Sequence, residues 1–146
     1  MIIHAKNLVY RQFNNAELWH DIVSNDYMRK EKILIIEDEF ELCMLLKLHF
    51  LEKGYEVEMV YNLKDGQDRI KTYNPDIVFL DNNLPDGLGW NSVKEIAAFN
   101  PAIKINLMTG AMPEDKDLTD NLNLYILMKP LSKKEIDLSL RFVHSN

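Results

Sequence analysis

The sequence predicts an α/β domain built on a parallel β-sheet with helices on both faces, preceded by a short N-terminal extension. Three observations carry this. Short, almost purely apolar runs recur from Lys32 onward, helical stretches separate them, and Gly, Asn and Pro stand at the junctions. Strands buried on both faces read as continuous apolar runs, and alternation of strand with helix is what parallel pairing requires.

Taken in order, the first unit is Ile33 to Ile36 followed by a helix over about Phe40 to Lys53, which Gly54 stops as a left-handed C-cap. Tyr55 to Val60 alternates apolar residues with Glu56 and Glu58, as an edge strand does when its charges discourage pairing with other chains. A second helix starts after Asn62 and ends before Asn74-Pro75, because the residue before proline is pushed out of helical geometry. Ile77 to Leu80 is a buried strand, and Asp81 to Gly87 is a loop dense in turn residues. A third helix spans Trp90 to Phe99, with Trp90 its packing anchor, and Ile103 to Met108 is the fourth strand. Pro113 to Asn121 reads as a short fourth helix with few apolar anchors, and Leu124 to Met128 as the fifth strand. Ser132 and Glu135 form a capping box for a last helix with Ile136, Leu138, Leu140 and Val143 available for packing.

This rhythm occupies residues 31–146; residues 1–30 stand outside it as an extension in which Asn14 to Glu17 can cap a short helix carrying Leu18, Trp19, Ile22 and Val23. Met28 leads directly into the first strand, so residues 1–27 are expected to be dispensable for the chemistry.

A length of 146 residues suits one domain, and 47% hydrophobic with 27% charged residues places the chain in the globular class. A net charge of -6 with no Lys/Arg cluster argues against a nucleic-acid partner, since phosphate contacts need a basic surface. No apolar run approaches the roughly 20 residues of a membrane span, and the start lacks a basic segment followed by an apolar stretch. Cys43, the lone cysteine, lies among Leu42, Met44, Leu45 and Leu46, which suits a buried thiol in a reducing compartment, and a cytoplasmic protein is expected. His4, His20, His49 and His144 show no metal-ligand spacing.

In an open parallel sheet, ligands bind outside the carboxyl ends of the strands. The first strand ends in Glu37-Asp38-Glu39, the third in Asp81, the fourth in Thr109-Gly110 and the fifth in Lys129-Pro130. Carboxylates gathered in one crevice repel unless a cation intervenes, and an all-oxygen site with room for water suits Mg²⁺ better than zinc or iron. A carboxylate can also act as a nucleophile toward phosphorus, and Asp81 fits that role best. Lys129 then supplies a point positive charge and Thr109 a hydroxyl donor to a phosphoryl oxygen.

The motifs Ile33-Leu-Ile-Ile-Glu-Asp-Glu39, Asp81-Asn-Asn-Leu-Pro-Asp-Gly87, Met108-Thr-Gly-Ala111 and Met128-Lys-Pro130 occur in the order of a response-regulator receiver domain, and residues 32–146 resemble that family. The resemblance implies a flavodoxin-like, doubly wound five-stranded parallel sheet of order 2-1-3-4-5. It implies an acidic pair at Glu37 and Asp38, phosphorylation at Asp81, and Mg²⁺ contacts from Asp38, Asp81 and the Asn83 main-chain carbonyl. It also implies a cis peptide between Lys129 and Pro130, which aims the lysine into the site.

By the same resemblance the chain is a stand-alone, chemotaxis-type receiver of two-component signalling and no enzyme in its own right. It receives its phosphoryl group from a histidine kinase or histidine phosphotransfer protein. With only residues 131–146 after Pro130, output is expected through contacts with an unnamed downstream protein or through onward phosphotransfer. Relay intermediate and terminal regulator both stay open.

Two other classes share part of this residue set. A haloacid-dehalogenase-type phosphatase shares the aspartyl nucleophile, Mg²⁺, Thr and Lys, but needs Asp-x-Asp, where this chain reads Asp38-Glu39-Phe40 and Asp81-Asn82-Asn83. A phosphorylation-independent binding module is the other, favoured by one departure. The family's fifth-strand aromatic position, three before the lysine, is Ile126, while Tyr125 lies one residue earlier and on the opposite face of the strand. Signalling is therefore expected to reorder the Gly110 to Asn123 segment, with Tyr125 a packing residue.

Overall fold

The computed structural model describes residues 29–114 and 122–142. The helix expected near Asn14 to Val23 and most of the one expected over Pro113 to Asn121 lie outside them, as does Val143.

Five parallel strands form the central sheet: β1 (Lys32–Ile36), β2 (Glu56–Val60), β3 (Ile77–Asp81), β6 (Lys104–Thr109) and β7 (Leu124–Met128). Their order is β2-β1-β3-β6-β7, which is 2-1-3-4-5 when sheet strands alone are counted. This is the flavodoxin-like arrangement, with the Glu-bearing β2 at an edge. The remaining helices are α1 (Phe40–Glu52), α2 (Leu63–Tyr73), α3 (Val93–Phe99) and α4 (Lys133–Arg141).

Side chains alternate across each strand, so the sheet feeds two cores. Leu34, Ile36, Val78, Leu80, Ile105 and Leu107 pack with Ile70 of α2 and with Val93 and Ile96 of α3. Ile33, Ile35, Phe79, Met108 and Leu127 pack with Cys43, Leu46 and Phe50 of α1 and Ile136 of α4. Phe50 and Phe79 meet with ring centroids 4.6 Å apart, an aromatic contact joining α1 to the central strand. Tyr125 belongs to this second core, its ring edge-on to Phe142 at 5.2 Å, so it packs toward α4.

The helix boundaries follow local chemistry. Asn62 Oδ1 accepts the Asp65 N–H at 2.8 Å at the start of α2, and Asn74 closes that helix in the left-handed region at φ 53°. Gly54, at φ 92°, follows the end of α1. Ser132 Oγ accepts the Glu135 N–H at 3.2 Å and donates to Glu135 Oε2 at 3.0 Å, a variant of the expected box in which the acid grips the hydroxyl.

Two expectations are revised. The loop after Asp81 contains a small antiparallel hairpin, β4 (Asn83–Leu84) and β5 (Gly87–Leu88), too short to leave a periodic trace in the sequence. The third helix begins at Val93, because Gly89–Ser92 form a 3₁₀ turn first. There the Gly89 N–H donates to the Asn82 carbonyl and the Trp90 N–H to Asn82 Oδ1, both at 2.9 Å, which ties the chain to the loop before α3 can start.

Cys43 faces the second core, fully buried, and its Sγ–H donates to the Glu37 carbonyl at 3.2 Å. Burial pushes its thiol up to about 12, and the charges of Glu37, Asp38 and Asp81 add to the effect. Because the folded state holds this proton more tightly than the unfolded chain, the associated stability is complete below the ordinary thiol value near 8.5 and is drawn down as pH rises from there. Iodoacetamide at pH 8.5 should label Cys43 slower by a factor on the order of 10³ in the folded protein than in denaturant. Equal rates would contradict the burial.

Candidate functional site

The carboxyl ends of β1, β3, β6 and β7 lie side by side, with Asp81 in register with Met108 and Thr109 with Met128. That topology gathers the residues singled out from the sequence. Glu37 follows β1, where its N–H donates to the Val60 carbonyl at 3.1 Å and its side chain is 1% exposed. Asp38, one residue on, faces solvent. Asp81 closes β3 and is 3% exposed. One carboxylate oxygen from each of the three lies within 4.8 Å of the others.

Lys129, just past β7, answers this concentration of charge. Its Nζ stands 3.0 Å from Asp81 Oδ1 and 3.1 Å from Glu37 Oε2, bridging the two buried carboxylates. The Lys129 N–H donates to the Thr109 carbonyl at 2.8 Å, and the Lys129–Pro130 peptide is cis, as the resemblance implies. Burial alone would lower the Lys129 ammonium, but the hydrogen bonds and charges of Asp81 and then Glu37 outweigh it and raise it. Burial and, to a lesser degree, the charge of Asp81 raise the Glu37 carboxyl, while the Glu39 N–H, donating to Oε1 at 3.0 Å, and Lys129 offset part of the rise.

Three carboxylates thus share one ammonium, and negative charge is in excess. The donors are all oxygen, one of them open to water, which fits a hard divalent cation such as Mg²⁺.

Thr109 closes β6 and is buried, but its hydroxyl is engaged locally, donating to the Ala111 carbonyl at 2.9 Å and accepting the Ala111 N–H at 3.3 Å. With its single proton so engaged, the hydroxyl can donate to another acceptor only by releasing the Ala111 carbonyl. Asn83 opens the hairpin, exposed and paired with Leu88. Beside it a groove of about 460 Å³ runs between Asn82, Leu88, Trp90, Thr109 and Met112.

Three further residues shape the site and escaped the sequence reading. Asn82 holds Gly89 and Trp90, as described above, and its own N–H donates to the Met108 carbonyl at 2.9 Å. Gly89 passes so close to Asp81 that a Cβ there would collide with the Asp81 carbonyl and lie 2.9 Å from Leu80 Cγ. Asp86 caps α2 across the fold. The glycine two positions after Gly87 was a usable signal, because two closely spaced glycines in a short loop often mark close backbone approach.

Residues 33–141 match the family described as Response regulator receiver domain. Among curated proteins, the chain is 27% identical over 113 residues to the transcriptional regulatory protein CreB of Escherichia coli, covering 75% of this chain and 48% of CreB. It is 30% identical over 82 residues to sporulation initiation phosphotransferase F of Bacillus subtilis, covering 56% of this chain and 66% of that protein. The matched stretch is thus about half the length of the first relative and two thirds of the second. Among solved structures, a CheY-like receiver from Methanospirillum hungatei superposes with a TM-score of 0.70 at 23% identity, covering 77% of this chain and 92% of that one. The response regulator TrrA of Thermotoga maritima, solved in complex with Mg²⁺-BeF, gives 0.67 at 26% identity, covering 76% and 96%. Sheet order, strand-end residues and family match agree, and the chain belongs to the response regulator receiver domains, the phosphorelay signalling modules of two-component systems.

Proposed function

We propose that this domain accepts a phosphoryl group on Asp81 in a Mg²⁺-dependent reaction, receiving it from a phosphohistidine of a histidine kinase or histidine phosphotransfer protein. The observation that carries the reading is the Lys129 ammonium seated between Asp81 and Glu37 among three clustered carboxylates. A carboxylate oxygen of Asp81 forms the new P–O bond as the P–N bond of the donor breaks and its imidazole departs. Asp38, Asp81 and the Asn83 carbonyl would hold the metal, with Glu37 supporting the set from beneath. When bound, Mg²⁺ supplies neutralising charge at the phosphoryl oxygens. Lys129 stays with the aspartyl group and offers its ammonium to the incoming oxygens, and Thr109 exchanges the Ala111 carbonyl for one of them. The TrrA complex with Mg²⁺-BeF supports this reading.

Residues 28–146 suffice for this chemistry in the same proposal, and the setting is cytoplasmic. No helix among the described residues is long and apolar enough to cross a membrane. Partner contact is supported by α1, where Phe40, Leu45, Leu48 and Leu51 stand 45–67% exposed on the helix that begins beside Asp38. The name of the Bacillus relative, a phosphotransferase, supports onward transfer as one output. The stand-alone, chemotaxis-type arrangement rests on the sequence resemblance. Tyr125 acts in packing: its contact with Phe142 lies on the α4 face, and Ile126 occupies the position from which the family's aromatic switches.

Acetyl phosphate with Mg²⁺ should add a single phosphoryl mass to the intact chain, and chelation or Asp81→Asn should bring it below detection, because an amide is neither nucleophile nor comparable ligand. Unchanged labelling of the Asn variant would sink the assignment.

Asp38→Ala and Lys129→Ala should separate metal from phosphoryl group. Loss of Asp38 raises the Mg²⁺ concentration for half-saturation by about tenfold or more. Loss of Lys129 leaves that value near the parent's but slows phosphorylation about 100-fold. Variants that behave alike in both measurements would contradict this division.

A further inference from the structure

Asp86 lies in the turn of the β4–β5 hairpin, and its carboxylate reaches across to α2. Oδ1 accepts the Leu63 N–H at 2.8 Å and Oδ2 the Lys64 N–H at 2.9 Å. Those donors belong to the first turn of α2, where the main-chain N–H groups have no partner within the helix. The helix already has a cap in Asn62, which takes the Asp65 N–H. What Asp86 adds is attachment of the hairpin to the helix. Gly87, at φ 151°, lays the turn flat on it: a Cβ there would lie 3.1 Å from Leu63 Cδ1.

The same first turn of α2 is seated tightly on the sheet. Gly66 lies against Ile36 so closely that a Cβ would be 2.6 Å from its Cδ1, and Ile36 directly precedes Glu37 and Asp38. A continuous run of close contacts therefore leads from Asp81 and Asn83 through the hairpin to Asp86, across the first turn of α2, and through Gly66 to the end of β1. It links the two strand ends that carry the acidic residues. The two main-chain N–H groups, Leu63 first, hold the Asp86 carboxyl below the usual carboxylate range, so this exposed link stays ionised across the neutral range.

We propose that Asp86 is a positioning residue for the metal site: by clipping the hairpin to α2 it fixes the separation between the Glu37–Asp38 half and the Asp81–Asn83 half, and so sets Mg²⁺ affinity. The inference rests on the reading of this pocket as a Mg²⁺ site. Asp86 touches neither metal nor phosphoryl group; it acts through the hairpin backbone, as outer-shell partners do for metal ligands.

The test titrates the full chain with Mg²⁺ by calorimetry and compares Asp86→Ala, Asp86→Asn and Asn62→Ala with the parent. Asn62→Ala weakens the same helix terminus while leaving the clip intact, so a merely structural role for Asp86 makes the two alanine variants alike. The dissociation constant should rise about tenfold in Asp86→Ala. It should rise less in Asp86→Asn, whose amide oxygen keeps one of the two bonds, and stay at the parent value in Asn62→Ala. An unshifted Asp86→Ala, or equal shifts in the two alanine variants, overturns the inference. Should Asp86→Ala not fold, Asp86→Asn decides by the same comparison with Asn62→Ala. A parent that binds no Mg²⁺ defeats the underlying reading of the pocket and the inference with it, an outcome distinct from a parent that binds and a variant that does not differ.

Discussion

Lys129 between Asp81 and Glu37 is the contact around which this domain is organised. Two carboxylates buried within a few ångströms of each other are costly, since each has lost most of its water and feels the charge of its neighbour. The ammonium, 3.0 Å from one and 3.1 Å from the other, makes the arrangement tolerable without neutralising it. Exposed Asp38 adds further negative charge at the mouth. The pocket therefore holds an affinity for positive charge that its own residues leave unmet, which is the property a Mg²⁺-assisted phosphoryl acceptor needs.

The sheet order makes this constellation available. β1 and β3 are neighbours, so Glu37 and Asp81 emerge side by side, and β6 and β7 follow on the other flank to deliver Thr109 and Lys129. The stretches of β1, β3 and β6 that precede Glu37, Asp81 and Thr109 are buried on both faces, and a strand packed on two sides has little freedom to shift its end. The loops then refine positions the strands have set. Asn82 gathers the backbone of Gly89 and Trp90, and Gly89 lets the chain pass directly over the Asp81 carbonyl.

Much of this was legible in the sequence, for identifiable reasons. Ile33 to Ile36 and Ile77 to Leu80 announce doubly covered strands because nothing polar interrupts them, and Asn62, Asn74, Gly54 and Ser132 mark helix ends by chemistry that acts over a few residues. The strand-end residues were found because the fold class says where to look. What stayed hidden depends on meetings between distant parts of the chain. The β4–β5 hairpin has two-residue strands, below any periodicity, and Asp86 caps a helix that begins 23 residues before it. The attachment of Asn82 to Gly89 and Trp90 replaces the first turn of the expected third helix with a 3₁₀ turn, an outcome no helical pattern over Trp90 to Phe99 discloses. Nor does the sequence tell that the Thr109 hydroxyl is held by Ala111, since a threonine's partner is chosen by rotamer.

In the proposed reaction an Asp81 oxygen, held beside Lys129, forms the bond to phosphorus. Borohydride reduction of the phosphorylated chain followed by peptide mapping reads this directly, because an aspartyl phosphate is reduced to homoserine at the residue that carried the group. The expected result is homoserine at position 81 alone. Homoserine at position 38, or a phosphorylated chain that yields none, would contradict the account.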